Sequence, residues 1–308
     1  MAEYSIGVDL GGTNLRAAAV DSQGNILQKI AGRTDLKAGR DAVIEDIAES
    51  IRELKKQCGT DQLAGVGIGV PGFILIREGV IVGSNNLHEF EGYPVRDDIE
   101  RRLGTRVHLE NDANAAALGE KWMGAGKEVD DLVLMTLGTG IGGGIVSGGR
   151  VLHGAVGMAG ELGHVTVIPN GNPCGCGNRG CLEKHASATA IIGMARLLQL
   201  GDGLTAKQVH DMALAGDQRA VAVFEAMGSA LGIALATMVN IFNFPLYLLS
   251  GGPLGAWDFF APAMFREVEK RSFTYRNTKT RIEKALLGSE AGLIGAAYLP
   301  FSVKNGDR

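Results

Sequence analysis

The chain has 308 residues, 34 of them acidic and 30 Lys or Arg, for a formal net charge of −4. That balance argues against a nucleic-acid protein that works by bulk attraction to phosphate, and no Lys/Arg-rich run offsets it. At 45% hydrophobic the composition is that of a globular chain long enough for two cored domains, but its 46 glycines are many, which points to tight turns or close backbone approach to a ligand.

The first residues, MAEYSIGVDL, carry Glu3 and no basic segment, so they do not read as a signal peptide. Residues 4–10 are a short apolar run ending at Asp9–Leu10, LRAAAV (15–20) follows a GGTN turn, and ILQKI (26–30) follows DSQGN. Three short apolar runs separated by glycine turns predict a β-meander. Between 41 and 57, Val43, Ile44, Ile47, Ala48, Ile51 and Leu54 share one helical face, with Cys58 as a small apolar residue at its end. LAGVGIGVPG (63–72) reads as a buried strand running into a loop, RVHLEND (106–112) as another strand, and Asn114 to Leu118 as the start of an Ala-rich helix. Residues 131–154 then repeat the strand, glycine turn, strand pattern of 4–30. No charge occurs from Ala226 to Trp257, but Asn240, Asn243, Pro245, Gly251, Gly252 and Pro253 interrupt the stretch. It therefore predicts a buried helix, a break and the buried strand LYLLSGG (246–252), not a membrane span.

Two copies of a meander plus helices predict two related α/β halves with a cleft between them, the boundary lying near 112–130. We draw a smaller domain over 1–115, a larger one over 116–295, and a C-terminal helix near 296–308 that packs back on the first.

Gly138, Gly140 and Gly143 match G-x-G-x-x-G, but GIVSGGRVL follows where a dinucleotide fingerprint needs a helix. The Walker lysine is absent as well. The better reading is a hairpin whose backbone N–H groups face an anion. Gly11, Gly12, Thr13, Asn14 and Arg16 form a corresponding turn after Asp9, and Gly138, Thr139 and Gly140 the second; Gly251 and Gly252 end a third strand. An acid beside such a loop suits Mg²⁺, which takes oxygen ligands and keeps waters.

CGCGNRGCLE (174–183) places Cys174, Cys176 and Cys181 within eight positions, and His164 lies upstream, giving H-x9-C-x-C-x4-C. Four N/S ligands close a tetrahedron around Zn²⁺ with no open position, so a structural zinc is expected. A disulfide or redox pair competes with this reading, but C-x-x-C is absent and nothing indicates export. If the chain is extended after Cys181, Glu183 lies on the same side, and the metal draws it toward Glu161, three residues before His164.

Together DLGGTNLR, END (110–112), LGTGIGGGIV, GMAGELGH (157–164) and CGCGNRGCLE resemble, in order and spacing, the ROK family of repressors, open reading frames and sugar kinases, and within it the bacterial glucokinases. The resemblance covers nearly the whole chain. It implies the actin-like ATPase (ribonuclease H-like) fold and an ATP-dependent hexokinase acting on the 6-hydroxyl of glucose, with Asp112 as general base. Asp9 would organise Mg²⁺ with ATP, both glycine turns would hold phosphates, and Gly251 and Gly252 would approach the adenosine. Asn86, Asn111, Asp112, Glu161, His164 and Glu183 would contact the sugar, His164 while also binding zinc with the three cysteines. Asp112 has a second reading as the cap of the Ala-rich helix. A cytoplasmic location and a homodimer are the expected setting, with a sugar and ATP as partners and neither nucleic acid nor membrane. A sugar-responsive repressor would carry a helix-turn-helix ahead of Tyr4, where no room is seen. A non-catalytic sugar sensor would not need END and both phosphate turns. GFILIREG (72–79) departs from the expected proline-rich loop, which leaves N-acetylmannosamine, mannose, fructose or N-acetylglucosamine as alternative substrates. Polyphosphate is an alternative donor, against which the zinc cluster argues by resemblance.

Overall fold

Gly-punctuated apolar runs build the first sheet. In a computed structural model, which describes residues 3–11, 14–33, 38–59, 62–84 and 87–304, β1 (Tyr4–Leu10), β2 (Asn14–Asp21) and β3 (Ile26–Arg33) form the expected meander, with Asp9 directly opposite Arg16. Helix α1 (Arg40–Cys58) buries the predicted face, together with Cys58. Strand β4 (Leu63–Val70) lies parallel to β1, and a small hairpin of β5 (Phe73–Leu75) and β6 (Val80–Gly83) follows where a loop was expected. Helix α2 (Val95–Leu103) leads to β7 (Val107–Asn111), which completes the order β3-β2-β1-β4-β7 and runs directly into α3 (Asp112–Met123). One apolar cluster underlies this sheet, from Tyr4, Ile6 and Val8 through α1 to Val107 and Leu109.

The second sheet holds β8 (Leu132–Leu137), β9 (Ile141–Ser147), β10 (Arg150–Val151), β11 (Leu246–Ser250) and β12 (Arg281–Lys284), ordered β10-β9-β8-β11-β12 with β8, β11 and β12 parallel. Its meander repeats the first, but its third strand is only two residues long. The helices are α4 (Glu183–Ala186), α5 (Ala188–Leu197), α6 (Ala206–Leu214), α7 (Gln218–Phe242), α8 (Trp257–Arg271) and α9 (Ala291–Lys304). Among the described residues α7 alone is long and apolar enough to cross a membrane, yet 61% of its apolar window is buried. It is a core helix against α8, its glycines 228 and 232 resting on the Phe260 and Met264 carbonyls.

The chain divides into two compact units: residues 1–130, 144–160 and 286–308, and residues 131–143 and 161–285. These divisions lie elsewhere than 115/116 and 295/296, because α3 packs along α9 and stays with the first sheet. Gly119 and Gly295 meet the opposing backbone there, at Ala291 and Ala115, with no room for a Cβ. The buried Glu120 carboxylate accepts from the Leu286 and Leu287 N–H groups at 3.1 and 2.7 Å, fixing the entry to α9. Helix α9 also covers β1: the Ser5 hydroxyl donates to the Ala297 carbonyl at 2.5 Å.

Candidate active site and metal centre

At the first hairpin, Gly11 N–H donates to the Asn14 carbonyl at 2.8 Å and closes the turn. Gly12 and Thr13, and the sugar candidate Asn86, lie outside the described residues. The register that sets Asp9 opposite Arg16 lets the guanidinium bind the Asp9 carboxylate. Arg16 also reaches Glu290 at 3.5 Å, and Glu290 takes Lys29 at 2.5 Å. Asp9 is thus a carboxylate held in place by the Arg16 guanidinium, with oxygen donors suited to Mg²⁺ and its waters.

The β7–α3 junction carries END. Asn111, not Asp112, is the helix cap: its Oδ1 accepts from the Ala113 and Asn114 N–H groups at 2.9 and 3.2 Å. Its Nδ2 donates to the Gly72 carbonyl at 3.1 Å, so the amide pins the start of the β5–β6 hairpin. Asp112 is the first helical residue, with Oδ1 on the Ala113 N–H at 2.8 Å.

In the second unit, His164 Nδ1 lies 3.5 Å from Cys174 Sγ, and Cys176 Sγ lies 3.7 Å from Cys181 Sγ. All four ligand atoms fall within 4.8 Å of one another. Tetrahedral bonds of about 2.3 Å to sulfur and about 2.0 Å to nitrogen put S···S edges near ~3.8 Å and S···N edges near ~3.5 Å, so the donor set fits zinc. Burial, and then the neighbouring Cys176 and Cys174 thiols, push the Cys181 thiol up to about 12. Sulfurs this close cannot all ionise alone, and a dication supplies the charge that lets them.

His164 turns its other nitrogen, Nε2, toward Glu161 Oε2 at 3.8 Å. Burial pushes the Glu161 carboxyl above the ordinary range, with His164 opposing and Glu183 reinforcing the shift, although 46% of the side chain stays accessible. The chain is not extended at Glu183: Cys181 bridges Thr166, then Leu182 turns helical and Glu183 opens α4. Glu183 reaches Glu161 electrostatically all the same.

At the second hairpin, Gly138 N–H bonds the Gly140 carbonyl at 2.9 Å. Gly138, Thr139 and Gly252 line a cavity of about 530 Å³ with Ile191, Lys207, His210 and Phe224. Gly251 backs onto the Leu137 carbonyl with φ +110°. The apolar walls suit a flat aromatic group, and two residues of the glycine turn are part of the lining.

The ROK family model matches residues 5–302. This chain belongs to the ROK family. It is 39% identical to a glucokinase from Thermotoga maritima, over 96% of each chain. Among solved structures it is similar to a ROK hexokinase from Thermus thermophilus (36% identity, TM-score 0.86, 98% of this chain and 100% of that one). It is also similar to a ROK family glucokinase from Streptomyces griseus in complex with glucose and AMPPNP (33%, TM-score 0.78, 96% and 98%). The fold of this ROK chain is accordingly the actin-like ATPase fold.

Two features of this ROK chain escaped sequence reasoning. Glu110, 3% exposed at its side chain, pairs with His153 Nε2 at 2.7 Å, 43 residues away. The same carboxylate accepts from Asn111 N–H at 2.9 Å and Asn114 Nδ2 at 3.0 Å, bracing the turn that carries Asp112. The side chains of the 530 Å³ cavity also went unnamed, because they come from α5, α6 and α7 with no shared motif.

Proposed function

We propose that this chain is an ATP-dependent hexokinase that phosphorylates glucose at its 6-hydroxyl. The observation that carries the reading is the END turn, whose acid opens α3 beside an Asn111 cap anchored through both its amide oxygen and its amide nitrogen, in a chain that matches a glucose- and AMPPNP-bound glucokinase along nearly its whole length.

Phosphoryl transfer asks a protein for positioning, charge neutralisation and a base. Asp112 accepts the proton of the 6-hydroxyl as that oxygen bonds the γ-phosphorus and the bond to the β–γ bridging oxygen breaks. ADP leaves, and the proton passes from Asp112 to solvent. The N–H that Asn111 retains on its amide donates to a neighbouring hydroxyl. Glu161, Glu183 and the Nε2 side of His164 take the remaining sugar hydroxyls, carboxylates being strong acceptors. Zinc, held by His164, Cys174, Cys176 and Cys181, would fix the geometry of this segment without taking part in the reaction. Mg²⁺, held through waters near Asp9, would neutralise phosphate charge. Turn amides of the second hairpin donate to phosphate oxygens, and the adjoining cavity takes the adenosine.

The test is ADP release with ATP, Mg²⁺ and a panel of hexoses that includes N-acetylglucosamine, N-acetylmannosamine, mannose and fructose, with polyphosphate as a second donor. Glucose with ATP should give the highest kcat/KM. Asp112→Ala should still bind glucose but lose about 10²–10⁴-fold in kcat, the range for general-base catalysis. Turnover near wild type in that variant removes Asp112 from the role, and no sugar-stimulated release removes the kinase reading.

A further inference from the structure

One carboxylate in the second unit touches both the segment assigned to sugar and the hairpin assigned to phosphate. Glu183 Oε2 accepts the N–H of Ile141, the first residue of β9, at 3.2 Å. The same oxygen occupies the space a Cβ on Gly140 would need. Oε1 pairs with Lys184 Nζ at 3.1 Å. Just beyond, Ala188 N–H donates to the Gly138 carbonyl at 2.9 Å and Thr189 Oγ1 to the Thr139 carbonyl at 2.7 Å. Residues 183–189 therefore hold the hairpin at three successive points. Gly138 N–H is used within the turn, and among the described residues the Thr139 and Gly140 N–H groups carry no hydrogen bond.

We propose that Glu183 couples sugar binding to nucleotide binding, with Gly140 kept free of a side chain so that the carboxylate can reach. Oε2 stays on Ile141 N–H and sets the aim of the neighbouring turn amides. Oε1 exchanges Lys184, a half-buried partner on a long flexible stem, for a sugar hydroxyl. A sugar on Oε1 then restricts the carboxylate and the hairpin it holds, so the ordering needed to grip phosphate is already in place when nucleotide arrives. Thermodynamic linkage makes the effect reciprocal, and coupling through a single group belongs at the low end of the usual range, about 5–20-fold. This deepens the proposed function and rests on its assignment of Glu183 to sugar and of the hairpin to phosphate.

Calorimetric titrations of glucose and of AMPPNP with Mg²⁺, each alone and with the other saturating, test it. In wild type each ligand should tighten the other by the same factor, about 5–20-fold. Gly140→Ala is the informative variant. The Gly140 backbone is open to alanine, since it has no positive φ, and the three atoms nearest its Cβ all belong to Glu183. The variant should lower glucose affinity at least about fivefold with no nucleotide present, and bring the coupling factor to near one. A residue serving phosphate alone would leave nucleotide-free glucose binding untouched, and that result overturns the proposal. Glu183→Ala should weaken AMPPNP binding in the absence of sugar, and Glu183→Gln, which keeps an oxygen for Ile141 N–H, should restore it. This pair stands even if Gly140→Ala does not fold, and unchanged AMPPNP affinity in Glu183→Ala refutes the coupling. Wild type that binds no glucose refutes the functional assignment instead.

Discussion

Replacing Glu110 with alanine should cost the first unit about 3–5 kcal/mol, the range for breaking a buried charged pair. Its carboxylate serves three donors: Asn111 N–H at 2.9 Å, Asn114 Nδ2 at 3.0 Å and His153 Nε2 at 2.7 Å. Hydrogen bonds to a charged group are worth about 1.5–3 kcal/mol each, so losing all three without replacement would total about 5–9 kcal/mol. The smaller figure follows from the surroundings. Glu110 lines a cavity of about 560 Å³ shared with His108, Arg150 and His153, and water entering there meets the two to four polar partners it needs. Glu110→Gln separates the charge from the hydrogen bonds. It keeps one oxygen for Asn111 and Asn114 but turns an N–H toward His153, so it should cost about 1.5–3 kcal/mol, the hydrogen bond to a charged group that is given up. Urea denaturation followed by far-ultraviolet circular dichroism, with unchanged m, reads both variants. An alanine variant within about 1 kcal/mol of wild type, a typical surface effect, would show that Glu110 does not brace the turn.

If zinc fills the His164, Cys174, Cys176 and Cys181 cluster as proposed, elemental analysis should find one zinc per chain, and chelation or Cys174→Ser should remove it, lower thermal stability and weaken glucose binding more than AMPPNP binding; loss of nucleotide affinity alone would contradict the proposed role of the metal in fixing the sugar segment. Burial raises the Asp98 carboxyl, but hydrogen bonds from Arg102 and Tyr93 outweigh that and leave it below the ordinary range. Its stabilisation is therefore complete above the unfolded carboxylate value and fades as pH falls through the lower folded one. Asp98→Asn should cost about 1.5–3 kcal/mol at neutral pH, and the gap in denaturation midpoint should close in acid; a gap that widens on acidification refutes the sign. Gly295→Ala should cost about 3 kcal/mol or more, since its Cβ would meet the Ala115 and Gly119 backbone and α9 would have to lift from α3. A change under about 1 kcal/mol, below the usual overpacking cost, would mean that this helix pair is loosely seated.

Local patterns were legible where the chain's own period carries them. The β1–β2 pairing, the buried stripe of α1 and the compact H-x9-C-x-C-x4-C spacing each show in a single window, and each has its counterpart in the structure. The break after α7 was legible too, through Asn243 and Pro245. What escaped depends on residues far apart in sequence. No local signal ties Glu110 to His153, or Leu286 to Glu120. The END turn shows the limit within one motif: both Asn and Asp are good caps, and only the backbone geometry decides that Asn111 takes the cap while Asp112 enters the helix. Extension after Cys181 was equally undecidable, because CLEKH carries no breaker that opposes a helical turn.

The seating of α9 on the first sheet bears on how the chain is made. The Ser5 hydroxyl finds its partner 292 residues later, and Gly7 rests against the α9 backbone at Leu293. During synthesis at about 5–20 residues per second, the second unit is finished while that face of the first sheet is still uncovered. For tens of seconds β1 and β4 therefore expose an apolar surface to the cell's chaperones and to neighbouring nascent chains. The helix that positions the proposed catalytic acid gains its packing partner only once α9 has been made, about 170 residues after α3 itself.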